Sequence, residues 1–447
     1  MQQTKTKSID MVLPIILLSY FMILLDNSII FTGTVKIAED LGLNQMQLSW
    51  VSNAYSLTFG GMLLFGGRAG DIFGRKRMYQ IGLVIFALGS LFVGLAGNAG
   101  VIITARAFQG IGSAILAPTT LAILMDNYQG EARTKAVVAY GSMAGIGTAF
   151  GLIIGGMLAS LFTWRDGFFI NVPVSILMFI LSAKFIHERE TEKGKIDFLG
   201  YIVSVIGMIA LVYSIVGEAY NLISFIIAVL FLGFFIYHEA KTAAPIMPLS
   251  LFKNKERLGA YISRFTFLGS MLTLWFLTPQ MMQNYFGYSP LLTGVAFFPV
   301  TVAIFISALQ VPRLTKLWDN TKLMIIGLIT TAIGLGSLAL FNGEIGYWFG
   351  IAIPMVILGI GQGFTLSPLT AAGIAHTSAE EAGAAAGVVN MVHQIGGSVG
   401  LSIVVALSAG VSDLIASYQL QMTIATVFVL ISLLSAIFLV RAGTKRK

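Results

Sequence analysis

A few ionisable residues of this chain lie in or at the ends of long apolar runs, where a charge is costly unless it finds a partner or water. Asp26 stands in the run that starts at Met11, Arg106 in the run from Val101, and Arg264 just past Tyr261. Glu218 closes another run, between Tyr213 and Tyr220, and His393 lies in a small-residue segment. A carboxylate and a guanidinium in such surroundings suit the binding and release of a proton. Counted from Met11 at about 1.5 Å per helical residue, Asp26 reaches the outer half of its segment, where Arg106 also falls. Pairing favours the ionised carboxylate and desolvation the neutral one, so the two together can tune a reversible proton carrier. Asp26 is the leading proton site, with Arg106 as its partner; a static ion pair that fixes helix packing is the alternative. Glu218 is a second proton carrier, a group that attracts cationic ligands into a cavity, or a solvated helix-end carboxylate. Arg264 reads as a structural partner or a snorkelling side chain rather than a substrate ligand.

The elements that must position these groups are membrane helices. The 447 residues are 56% hydrophobic and only 11% charged, against roughly 25% charged in soluble domains. Uncharged runs such as Met11 to Leu25, Ile81 to Leu95 and Thr423 to Val440 approach the roughly 20 residues that cross a bilayer core. The short alternating segments of a membrane β-barrel are absent. Fourteen spans are expected, beginning near residues 11, 48, 78, 101, 136, 166, 197, 221, 257, 290, 322, 345, 384 and 419. The run from Met11 lacks a small-residue cleavage site and is expected to stay as the first span.

With both termini inside, nearly all of the 27 Lys and Arg residues fall in cytoplasmic loops, leaving Lys36 and Arg165 outside, as the positive-inside rule requires. The net charge of +7 is thereby explained by topology, and no nucleic-acid partner is expected. No cysteine is present, which excludes disulfides and thiol-ligated metals. No Gly-x-x-x-x-Gly-Lys-Ser/Thr phosphate loop occurs, no metal-ligand cluster stands out, and no loop is long enough for a soluble catalytic domain. The chain is expected not to be an enzyme and to need no cofactor.

The loop from Gly66 to Arg77 places Gly67, Asp71, Gly74 and Arg75 at a distinctive spacing. Its glycines permit a tight turn, and Asp71 can accept from arginines or a helix N-terminus, which would make a charge latch. This segment resembles the cytoplasmic signature loop of the major facilitator superfamily. A degraded echo at Val311 to Lys322 suggests two related halves. The stretch from Arg106 through Gln109, Gly110 and Gly112 to Pro118 resembles the fourth-helix motif of proton-coupled antiporters in that superfamily. Gly147, Gly151, Gly155 and Gly156 give a close-packing helix face and resemble its antiporter motif, although Leu152 stands where that motif has proline. Trp164 to Pro173 and Asn390 to Gly400 resemble blocks of its fourteen-span drug:proton antiporters. His393 stands where an arginine is usual, so a side chain that titrates near neutrality replaces a permanent charge. It is a proton sensor or, as the better expectation, a hydrogen-bonded packing residue.

The resemblance covers essentially the whole chain. It implies an all-α major facilitator fold with 14 transmembrane helices arranged 6+2+6: residues 1–190 and 246–447 as six-helix halves, and 191–245 as an inserted pair. It implies a proton-coupled multidrug efflux antiporter in the cell membrane, driven by the proton gradient and working as a monomer by alternating access. Its partners would be protons, the lipid bilayer and cationic or zwitterionic amphipathic drugs such as fluoroquinolones and dyes. Aromatics and methionines tolerate varied ligands, and Tyr55, Trp275, Phe276, Met281 and Tyr285 are the candidate cavity residues. Export of an endogenous metabolite or lipid is the alternative, and a non-transport membrane protein a more distant one.

Overall fold

A computed structural model describes residues 11–188, 191, 197–217, 219–242, 245–378 and 381–444, and these form helices with no strand among them. In chain order the helices are α1 (Val12–Leu41), α2 (Gln45–Phe73), α3 (Arg75–Gly94), α4 (Ala99–Asn127), α5 (Gly130–Leu161), α6 (Trp164–Phe169) and α7 (Asn171–Phe185). Then come α8 (Phe198–Val216), α9 (Asn221–Lys241), α10 (Lys255–Phe286), α11 (Pro290–Ala296), α12 (Phe298–Leu317) and α13 (Asn320–Ala339). The last are α14 (Ile353–Gly373), α15 (Ala382–Ser408), α16 (Leu414–Ser435) and α17 (Arg441–Thr444).

Local chemistry sets where these helices stop and start. Gly42 and Gly287 end α1 and α10 in the left-handed region, at φ 64° and 66°, where a Cβ would be strained. Asn44 and Gln47 form a capping box on α2, and Asn98, Asp197, Asn254, Ser289, Asp319 and Asp413 each accept from a first-turn backbone N–H of the helix that follows. Such caps satisfy donors that have no partner within the helix.

Twelve helical segments are long and apolar enough to cross a membrane. α2 and α5, at 29 and 32 residues, are as long but fall outside that set. Packing accounts for α2: every residue from Leu48 to Gly61 is buried, against α1, α4, α8 and α15. Neighbouring helices screen that stretch of α2 from lipid, so Ser, Thr and Asn are tolerated where they find partners. α9 is the opposite case, with only Ala228, Phe235 and Glu239 buried.

The helix termini gather at two ends. Basic residues crowd one of them, called here the basic end: Glu188 accepts from the N–H groups of Lys76 and Arg77, Arg257 donates to the carbonyls of Ala375 and His376, and His376 meets Glu256. At the opposite end, Arg165 reaches Asp40 and the Ala96 carbonyl, and Lys36 reaches the Ala159 carbonyl. α1 packs on α5, and α4 on α2 and α3; later in the chain α10 packs on α15 and α16, and α14 on α12 and α13. α2 on α15, α5 on α11 and α1 on α10 join the two groups. α8 pairs with α9 and leans on α2 and α15.

Candidate functional site

Asp26 and Arg106, brought together by α1 and α4, form an ion pair with 2.6 Å between Oδ2 and Nη1, and their side chains are 0% and 1% exposed. The carboxylate accepts three hydrogen bonds in all, one of them from Arg106: Oδ1 accepts from Gln109 Nε2 at 2.7 Å and from Asn171 Nδ2 at 2.8 Å. Both amides also donate to Ser90 Oγ on α3. Arg106 donates through Nη1 to Gln109 Oε1 and through Nε to the Val51 carbonyl. Its guanidinium carbon lies 4.1 Å from the centre of the Tyr55 ring, a desolvated cation–π contact. Four helices, α1, α3, α4 and α7, thus converge on one carboxylate. Chemically this is a buried carboxylate whose charge the arginine balances, and adding a proton to it would remove the charge that holds the Arg106 pair together.

Gln109 signals itself in the sequence, since it lies three residues from Arg106 on one helix face. Asn171 belongs to the Trp164 to Pro173 block but carries no charge to single it out. Ser90 gives no signal at all.

A cavity of about 1320 Å³ runs inward from the basic end, where Arg68, Asp71, Arg75 and Asp197 border it. Phe31 and Trp275, with ring centres 6.3 Å apart, lie on its deepest wall. No wall residue comes from the turns of the opposite end. Of the candidate cavity residues, Trp275 is on the wall and the other four are not. Tyr55 is fully buried beneath Arg106, its hydroxyl donating to Ser113 Oγ at 2.7 Å and accepting from the cavity-lining Asn27. Phe276 and Met281 are buried in the core, and Tyr285 packs on Phe286 and Phe341.

The predicted latch is built within the first group of helices. Arg75 binds Asp71 at 2.8 Å and Asp126 at 2.6 Å, tying α2, α3 and α4. Gly74, at φ 99°, makes the turn, and a Cβ there would run into the Glu188 carboxylate that caps α3. Gly67 carries no close contact beyond Pro118. Among the described residues, the bonds of Arg75 and Asp71 stay within the first group.

The glycines of α5 meet two partners. A Cβ on Gly147, Gly151 or Gly155 would strike Leu24, Ser28 or Ile29 of α1, and one on Gly156 would strike the Pro290 carbonyl at the start of α11. Gly294 of α11 in turn receives the Leu152 carbonyl. Ser160 Oγ accepts from Leu291 N–H, and Gln283 donates to the Thr32 carbonyl. These contacts close the bundle at the opposite end. α5 runs unbroken through Leu152.

Arg264 and His393 both line the cavity. His393 Nδ1 lies 3.0 Å from Arg264 Nη2, and because a guanidinium only donates, that nitrogen is the acceptor. His393 is therefore hydrogen-bonded within the wall. Glu218 lies outside the described residues.

A family model described as Major Facilitator Superfamily matches residues 16–401. The puromycin resistance protein of Streptomyces alboniger is 31% identical over 410 residues, 89% of this chain and 81% of its own. The cephamycin export protein of Amycolatopsis lactamdurans is 30% identical over 418 residues, 91% of this chain and 86% of its own. A multidrug resistance protein of Mycobacterium tuberculosis is 28% identical over 395 residues, 86% and 73% of the two chains. Among solved structures, a POT family transporter in complex with a thioalcohol-conjugated peptide superposes with a TM-score of 0.74 at 14% identity, covering 95% of each chain. An inward-facing bacterial homolog of the human lysosomal transporter Spinster gives 0.70 at 16% identity, covering 98% of each. At those identities the likeness is one of fold alone.

Proposed function

The chain belongs to the Major Facilitator Superfamily, and on that premise we propose that it is a proton-coupled efflux antiporter that exports amphipathic drugs by alternating access. The observation that carries this is the fully buried Asp26 carboxylate, held by Arg106, Gln109 and Asn171 beside a large cavity open at one end. Relatives named for puromycin resistance, cephamycin export and multidrug resistance support the direction of transport and the kind of cargo.

In this proposal the basic end is cytoplasmic, as the positive-inside rule favours, and both termini lie there in the cell membrane. α2 and α5 complete a set of fourteen spans, with residues 1–190 and 246–447 as the two halves and 191–245 as an insertion between them. Drug enters the cavity from the cytoplasm. The halves then part at the α5–α11 contact, and a proton arriving from outside neutralises Asp26 as drug leaves. Arg106 loses its counter-ion at that step and keeps only its bonds to Gln109 Oε1 and the Val51 carbonyl. Return to the present conformation releases the proton inward, and a single copy completes the cycle. No cofactor is needed, since one charge crossing 100 mV is worth about 2.3 kcal/mol.

The test is proton movement in proteoliposomes, read with a pH-sensitive dye on adding a fluoroquinolone or ethidium. Native protein should give drug-triggered proton flux, and Asp26→Asn should abolish it. Equal flux in the variant would remove Asp26 as the carrier, and no flux with any drug would favour an endogenous cargo.

A further inference from the structure

Arg264 is 7% exposed, stands well inside α10 and lines the cavity. Its Nη1 donates to Thr370 Oγ1 at 2.7 Å and its Nη2 to His393 Nδ1 at 3.0 Å, both neutral acceptors, and its Nε has no partner. Among the described residues no carboxylate pairs with it. The other ionised groups on the wall, Arg68, Asp71, Arg75 and Asp197, belong to helix ends at the mouth. A desolvated guanidinium without an anion is a costly arrangement, and it gains most from a ligand that brings the missing charge. Gln362, also on the wall and 3% exposed, has an amide nitrogen without a partner. At about 1.5 Å per residue, Trp275 lies roughly 16 Å beyond Arg264 along α10, so the cavity offers a cation at one level and aromatic rings deeper in.

We infer that Arg264 is a specificity-determining residue that binds an acidic group of the cargo, so that the cavity selects amphipathic molecules carrying a carboxylate, zwitterions included, over permanent cations lacking one. The cargo's carboxylate accepts from Arg264 while its apolar body lies in the cavity. This rests on the exporter reading for its biological meaning, but binding itself can be measured without transport.

The probes are a carboxyl-bearing rhodamine dye and its methyl ester. They differ in the acid alone. Binding to the purified full chain in detergent is measured by fluorescence polarisation, and transport in proteoliposomes. Native protein should bind the acid at least about tenfold more tightly than the ester, the scale of one charge-assisted hydrogen bond. Arg264→Gln should erase that difference while leaving ester binding unchanged, and Arg264→Lys should keep part of it. Equal affinity of native protein for the two dyes, or an equal loss of both in Arg264→Gln with Arg264→Lys no better, would overturn the inference. Selective acid binding with no transport of either dye would sink the exporter reading and leave the acid site standing.

Discussion

Arg106 and Arg264 each carry a guanidinium into the bundle, one on α4 and one on α10, yet only Arg106 meets a carboxylate there. Arg106 is enclosed by Asp26, Gln109, the Val51 carbonyl and the Tyr55 ring, and it lies off the cavity wall. Arg264 faces the cavity with neutral partners and one idle N–H. A buried charge with its counter-ion is a closed account that only a proton can disturb. A buried charge without one is open to whatever anion enters. On the proposed antiporter reading, the difference separates two tasks, holding the coupling ion and holding the cargo, and gives them to opposite groups of helices.

The comparison can be broken most forcefully at Arg106. Arg106→Ala strands the Asp26 carboxylate, and removing one partner of a buried pair costs about 3–5 kcal/mol. The melting temperature in detergent should drop clearly, and proton flux in proteoliposomes should vanish. A variant as stable as native protein would mean that water already reaches Asp26. Asn171→Leu tests the same site more gently. It removes one donor to Asp26 Oδ1 and one to Ser90, an expected cost of about 1–3 kcal/mol, and should change the pH at which transport is half-maximal. An unaltered pH profile would leave Asn171 as packing alone. Arg264→Met should have the smallest effect on stability and the opposite tendency. Replacing an uncompensated buried charge with an apolar side chain is neutral or stabilising, so the melting temperature should hold or rise. A fall as large as that of Arg106→Ala would show that an unrecognised anion partners Arg264.

The Asp26–Arg106 pair was legible in the sequence because ionised groups in apolar runs have few ways to be satisfied, and each other is the simplest. Their neutral partners were harder to see. Gln109 follows from helical spacing, but Asn171 and Ser90 come from α7 and α3, and nothing in a sequence marks an uncharged polar residue as aimed at a distant carboxylate. Helix starts were read well where caps and apolar runs coincide: α8 and α11, capped by Asp197 and Ser289, begin at 198 and 290, against expectations of 197 and 290. Hydropathy serves α2 less well, because a helix wrapped by other helices need not be apolar all round. The cavity wall was the least legible part. It depends on how each helix is rotated about its axis, and for Phe276 and Met281 that rotation turns the side chain into the core.

The mutual notch between Gly156 and Gly294 bears on how opening of the bundle responds to salt. Each glycine receives a backbone carbonyl of the facing helix, so that contact is made by main chain, with no long side chain threaded through it and no ion pair across it. Parting such surfaces forfeits van der Waals contact and the hydrogen bonds of Leu291 and Gln283, without exposing a desolvated charge. Opening this contact breaks no ion pair within it, so its cost should depend little on ionic strength. In the proposed exchange cycle, added salt would then act through the cargo and the basic end and leave this gate nearly untouched.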